Sequence, residues 1–540
     1  MYFVQEKFIR ILKLLPSFLL TVGLYAQAPV ITSIQNPASN ILPGLPNFGI
    51  AQGQIFVLYG SNMGPATLAQ PTALPWPTSF SGTTIGITQG SNTFNAPIIY
   101  TSAGQIAAVM PSTVAVGSAN ILVAYNSISS KAFATTIVAN NFGMSSVDQT
   151  GTGPAVITTA TYALITSANS AIPGNTYTMW GTGLGAAISG NTDNNVNVFA
   201  AVGPAPQVLV GGISATVTYA GRSPGAGPGL DQINFTIPAG LSGCFVSVQV
   251  VTPTTPVIVS NATTIPIAAT GGGCSDVNGL SASIANTALS TKGSFAVGGA
   301  NVSGGQPASG NTGQAQAIFG RFTAAQWALF DTPANLGTVS LGSCVTQVSA
   351  GGNGGSGGPS GFTGLDAGTT VTLTPPGAAA LSLTLAKAGS YGANISSVPP
   401  GSYALTDGAG GKDIGAFSVT FAGPPALIWT NQSTTSIVRS QGFKVTWTGG
   451  DVNSYVDIVG QSQATSSGPG NANGASFDCQ APAASGSFTI PASVLLALPA
   501  NSGQVFVTAN ENTQTLTIPG ADEGFAFMSG VSATASVTFK

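Results

Sequence analysis

One stretch of this chain occurs twice. The first copy reads Gly53-Gln54-Ile55-Phe56-Val57-Leu58-Tyr59-Gly60-Ser61-Asn62-Met63-Gly64, and the second reads Gly174-Asn175-Thr176-Tyr177-Thr178-Met179-Trp180-Gly181-Thr182-Gly183-Leu184-Gly185. Three glycines, and an aromatic residue before the middle one, match at a constant offset. Downstream, Ala96 to Tyr100 answers to Ala215 to Tyr219. Gln105-Ile106 with Met110-Pro111 answers to Gln232-Ile233 with Ile237-Pro238. Landmarks in one order, at a spacing too long for a solenoid, define two homologous domains. The second copy carries extra loop residues around Gly221 to Gly229, so any role of that loop belongs to the second domain alone.

Composition says what such domains are made of. Only 5% of residues are charged, against about 25% in an ordinary soluble protein. With 43% hydrophobic residues the chain is not of the disordered class. Its surface is therefore covered by Thr, Ser, Asn, Gln and Gly. The 72 Gly and 35 Pro favour short strands joined by turns. A length of 540 residues suffices for about three or four domains. The net charge of −3 is a weak field on so long a chain. No basic patch is present to hold phosphates, and no basic amphipathic helix to lie on a membrane.

Lys7, Arg10 and Lys13 precede an uncharged apolar run from Leu14 to Ala26, which ends in Ala26-Gln27-Ala28. These three parts predict a secretory signal peptide over residues 1–28, cleaved after Ala26 or Ala28. The rival reading, a membrane anchor, needs about 20 apolar residues, more than the run offers. Export predicts a location outside the cell or at its surface.

Residues 29–142 and 143–270 are the two repeat domains. Ile55 to Tyr59, Ala96 to Tyr100 and Ile121 to Tyr125 read as strands, with a turn at Gln89-Gly90-Ser91-Asn92. Val208-Leu209-Val210, Gly211-Gly212 and Ile213 onward form a hairpin whose two turn positions need positive φ. Phe245 to Val250 alternates as a half-buried strand. Several short strands per domain predict immunoglobulin-like sandwiches. The order "FVLYGSNMGP", "IIYTSAGQIAAVMP", "YTMWGTGLG" and "VTYAGRSPGAGPGLDQINFTIPAG" resembles the tandem immunoglobulin-like (IPT/TIG-like) repeats of secreted acidobacterial proteins. The resemblance spans roughly residues 30–270. It implies fold and export, and supplies no catalytic residue.

Residues 271–430 read as a β-rich region opened by Gly271-Gly272-Gly273 and broken by a glycine tract from Gly351 to Gly358. Phe322 to Phe330 is the best helix candidate, with a Thr cap. Thr369 to Leu373 and Leu381 to Leu385 are strand-like. Pro399 to Thr406 resembles the turn-strand of small prealbumin-like sandwiches. Residues 431–540 read as a C-terminal β-sandwich. Phe443, Val445 and Trp447 alternate there, a short helix is expected over Pro491 to Leu498, and a strand runs from Val531 to Phe539.

Cys244, Cys274, Cys344 and Cys479 allow three connectivities in an exported chain. Pairing Cys244 with Cys274 would staple the linker, leaving Cys344 with Cys479 to tie the C-terminal units together. A zinc site is the rival, but the chain has no histidine and no C-x₂-C pair.

The absence of histidine removes Ser-His-Asp and Cys-His catalysis. Gly354-Gly355-Ser356-Gly357-Gly358 matches G-x-S-x-G but lacks the strand and helix of a nucleophile elbow. Paired carboxylates remain, as in a glycosidase. The candidates are Asp451, Asp457, Glu511 and the adjacent Asp522-Glu523, whose contexts otherwise suit turns. Asn191-Thr192-Asp193-Asn194-Asn195 lacks the order of a calcium loop. Trp180 and Trp447 read as core. Trp76, flanked by Pro75 and Pro77, is the possible ligand-stacking residue.

The sequence thus predicts an all-β protein of tandem immunoglobulin-like sandwiches joined by Gly-rich linkers, exported and non-catalytic, with no cofactor and no metal. It points to a structural or adhesive role, with an extracellular polysaccharide or a cell-surface protein as partner. The alternatives are a carbohydrate-binding module array and, behind it, a hydrolase with C-terminal carboxylates.

Overall fold

The computed structural model describes residues 27–187, 193, 201–203, 205–223, 227–304, 313–350, 361–465 and 472–540. The leader up to residue 26, the Ser356 motif and all of the Asn191–Asn195 loop but Asp193 lie outside the described residues. The chain is nearly all β, with 49% strand and 7% helix.

The first repeat folds as two packed sheets. One has the order Val30–Gln35, Ile55–Ser61, Gln105–Val109, Ile98–Thr101. The other runs Ile50–Ala51, Phe133–Val138, Gly117–Tyr125, Thr83–Gln89, Ser79–Phe80. This is the A-B-E-D and C-F-G layout of an immunoglobulin sandwich, with a short strand added parallel to the last one. The second repeat places Thr176–Thr182, Asp231–Thr236 and Ile213–Arg222 in the corresponding order. In both repeats the third of these strands carries a β-bulge at the same place, between Ile98 and Tyr100 and between Val217 and Tyr219.

The repeated glycines have local causes. Gly53 and Gly174 turn at φ +72° and +84°. Gly60 and Gly181 lie tight against the antiparallel neighbouring strand, where a Cβ would collide with the Val30 and Gly143 carbonyl oxygens respectively. The hairpin turn Gly211-Gly212 has φ +55° and +76°, as a primed turn requires.

The C-terminal half is built on one long sheet. The strands Ser294–Ser303 and Glu523–Ser529 run side by side in parallel, and Cys344–Ser349 pairs with Gly474–Pro482. Strand pairing therefore crosses the expected 430/431 boundary in both directions. One face of this sheet closes over Trp429, Val445, Trp447, Ile458 and Phe477. Three helices, Ala282–Lys292, Ala324–Phe330 and Pro333–Leu336, lie near its middle, around Phe295, Phe322, Trp327 and Phe525. The helix at Ala324 has its Thr323 capping box. The helix Ala282–Lys292 is additional to those read from the sequence. Among the described residues no helix is long and apolar enough to cross a membrane.

Candidate functional site

The two disulfides are Cys244–Cys274 and Cys344–Cys479. Cys344 and Cys479 face each other across adjacent strands. Cys244–Cys274 sits where the second repeat meets the C-terminal body. There the Asp276 carboxylate accepts from Cys244 N and from Ser340 Oγ at 3.0 Å. On the same strand, Ser247 N donates to Ser343 Oγ, and Gln249 Nε2 donates to Ser493 O.

The carboxylates singled out in the sequence have different local partners. Asp451 caps a turn by accepting from Asn453 N. Asp522 pairs with Lys292 at 2.5 Å. Glu511 is buried, and desolvation followed by the charge of Asp451 pushes its carboxyl up to about 7. Asp457 bonds instead to Asp478, a residue the sequence reading did not single out. Their strands bring them together diagonally, Asp457 opposite Gln480 and Val459 opposite Asp478. Burial and the neighbouring carboxyl hold Asp478 well above the carboxylate range, so the pair keeps a proton. Gln480, beside them, is fully buried and bonds to Asn278 and Gly337 O. Among the described residues no group of three or more His, Cys, Asp or Glu could hold a metal ion.

Trp76 packs between domains. Its half-buried ring lies against Gly227, where a Cβ would stand 3.1 Å from Cζ2. The inserted loop of the second repeat thus meets the first repeat, and Gly229 approaches Ile55 in the same way. Behind that loop, Arg222 and Asp231 form a buried ion pair. Asp231 also accepts from Gly183 N and Leu184 N. Thr182 Oγ1 accepts from Ile55 N at 2.8 Å.

Trp180 corrects the core assignment made from sequence; Trp447 is core, at 3% exposure. Strand alternation sends Tyr177 and Met179 into the core and Thr176, Thr178 and Trp180 to the outer face of the sheet. Opposite them stand Thr236, Asn234 and Gln232. The Trp180 indole N–H donates to Thr158 Oγ1 at 3.0 Å. Tyr162, 72% exposed at the tip of an adjoining turn, lies 6.0 Å from the Trp180 ring centre at an interplanar angle of 33°. Thr178 Oγ1 and Gln232 Nε2 both donate to Asn234 Oδ1, and the Thr176 and Thr236 hydroxyls share a bond of 2.9 Å. The result is a face of two mutually tilted aromatic rings beside amides and hydroxyls. The only charged residues on its strands, Arg222 and Asp231, are buried and paired with each other.

No family model matches this chain, and no curated protein matches it. Similar solved structures include the chicken CNTN1 FN1–FN3 domains, at 11% identity and TM-score 0.17 over 72% of this chain and 98% of that one. Another is SGBP-B of a Bacteroides ovatus mixed-linkage glucan utilization locus, in complex with a mixed-linkage heptasaccharide. It shows 11% identity and TM-score 0.16 over 85% of this chain and 98% of that one. Domains 5–6 of the S-layer protein SbsC show 10% identity and TM-score 0.16 over 44% and 98%. At TM-scores this low, none of them fixes the partner of this chain.

Proposed function

We propose that this is an exported, non-catalytic, modular protein with a structural or adhesive role at or outside the cell envelope. Its parts are 29–142, 143–270, 271–430 and 431–540, the last two interlocked by exchanged strands, and its repeats are of the IPT/TIG-like kind. The observation that carries the reading is the way the parts are joined. Disulfides, buried amides and an ion pair sit at the junctions, while the surface between carries almost no charge. Between the two repeats, the buried Asn36 Nδ2 donates to Thr182 O at 3.3 Å, and Ile55 N donates to Thr182 Oγ1 at 2.8 Å. Junctions fixed this way suit a rigid spacer that presents faces to a partner, rather than a hinge that closes on a substrate. An array of carbohydrate-binding modules is the second reading, favoured by the aromatic face around Trp180.

Cell fractionation with thiol labelling tests the reading. Recovery in the medium or at the cell surface, with all four cysteines blocked, is the expected result. Recovery in the cytosol with free thiols overturns it. Turnover of glycoside or peptide substrates that is abolished by Asp457→Asn or Asp478→Asn would overturn the non-catalytic part.

A further inference from the structure

The two repeats carry the same outer face in two different chemistries. In the first repeat its cross-strand pairs are Ile55 with Val109, Val57 with Ala107 and Tyr59 with Gln105. In the second they are Thr176 with Thr236, Thr178 with Asn234 and Trp180 with Gln232. The first set is apolar toward one end. Val57, Ala107 and Val109 are at most 3% exposed although they point away from their own core. At one end of this buried face Ile55 meets Gly229 of the second repeat. The second set has exchanged apolar residues for hydroxyls and an amide, and the smaller aromatic for tryptophan. It remains open, with Thr176, Thr216, Thr218 and Tyr162 exposed.

We infer that the open face of the second repeat, centred on Trp180 and Tyr162, is a binding platform for a neutral polysaccharide. The inference rests on the adhesive reading above and supplies its partner. Three features select that occupant. The indole and phenol rings offer flat apolar surface to the C–H face of a sugar ring. Around them the Thr176, Thr216 and Thr218 hydroxyls are exposed and the Asn234 amide is half-buried, groups that donate and accept as sugar hydroxyls do. Charge complementarity decides the rest: the face exposes no charged side chain, so it suits a polymer with none and gives an anionic polymer nothing to pair with. A protein partner would call for the apolar pairs found in the first repeat. The polar set is matched to an occupant that brings its own hydroxyls.

The test is a depletion assay of the disulfide-bonded mature chain on insoluble cellulose, xylan and β-1,3-glucan, with alginate as the charged polymer. Saturable binding to a neutral polymer, unchanged in 1 M salt, is expected. Trp180→Ala and Tyr162→Ala should each weaken it by about tenfold or more, while Trp180→Phe keeps most of it. Tyr162 is exposed, so its variant folds whatever Trp180→Ala does to the sheet. No binding to any neutral polymer, binding to alginate alone, or full binding by both alanine variants overturns the inference. Adhesion of the wild-type chain to whole cells, measured in parallel, separates the two levels. Adhesion without neutral-glycan binding removes this platform and leaves the adhesive reading. Loss of both removes the adhesive reading as well.

Discussion

Glu523→Gln tests the electrostatics of the C-terminal body. Glu523 opens the strand that pairs in parallel with Ser294–Ser303 and is 5% exposed. Its Oε1 accepts from Ser281 N at 2.8 Å, at the cap of the Ala282–Lys292 helix. Its Oε2 is buried with no hydrogen-bond partner. Desolvation, only partly offset by the Ser281 amide, pushes the carboxyl from 4.5 up to about 7. The folded chain therefore holds this proton more tightly than the unfolded chain. Stability from the raised pKa is complete below about pH 4.5 and is lost as pH rises through about 7. A shift of that size is worth roughly 3 kcal/mol at ~1.4 kcal/mol per unit. Glutamine keeps the acceptor for Ser281 and cannot ionise. Its unpaired amide costs the same at every pH, so the difference between pH profiles isolates ionisation. Urea unfolding read by tryptophan fluorescence, with Trp327 in the adjoining cluster, should show the variant gaining about 3 kcal/mol on the wild type between pH 4 and pH 8. Parallel profiles would refute the reasoning.

Cys344→Ala/Cys479→Ala opens a loop with a sequence separation of 135, and Cys244→Ala/Cys274→Ala one of 30. The chain-entropy relation gives losses of about 5 and about 4 kcal/mol respectively, so calorimetry should show the larger drop for the first pair; the reverse order refutes it. Gly181→Ala drives a methyl into the Gly143 carbonyl and to 2.5 Å from the Phe142 ring, and should destabilise the second repeat by about 3 kcal/mol or more. Gly174→Ala meets nothing within 4 Å, and its positive φ alone should cost about 1–2 kcal/mol. Equal costs in thermal melts would show that the two glycines do not answer to different constraints.

The legible parts of this fold are those whose signal is local. The duplicated glycines, the Gly211-Gly212 turn and the Thr323 cap each announce a backbone conformation within a few residues. The helix Ala282–Lys292 escaped because its buried stripe is Ala282, Ala285 and Ala288, too small to contrast with Ser and Thr. Its end signals, Ser281 before and Lys292-Gly293 after, were present. The parallel pairing of Ser294–Ser303 with Glu523–Ser529 has no local signature, and the acid pair depends on it being known which strands adjoin. Asp457 and Asp478 meet only because Tyr455–Gln463 and Gly474–Pro482 pair in one register. The reading of Trp180 as core is a different kind of miss. Alternation from Thr176 to Trp180 already put the tryptophan on the threonine side. What sequence could not supply is that Gly227 of the second repeat lies against Trp76 of the first.

The route of the chain explains why one face stays open. The second repeat meets the C-terminal body at the other end of its nine-stranded sheet, where Phe245, Ser247 and Gln249 on the strand Gly243–Thr252 bond to Ser340, Ser343 and Ser493. Cys244–Cys274 fixes that exit. Three strands separate the strand with Trp180 from that junction in the sheet order, while in the first repeat Ile55, at one end of the matching strand, meets Gly229 of the second repeat. A face left open by chance would keep the apolar pairs of its sister and invite association. This one has threonines and an asparagine in their place, with Trp180 and Tyr162 kept as the aromatic surface. That combination solvates the face and still reserves area for a ring to stack on, which is the requirement of a platform for sugars.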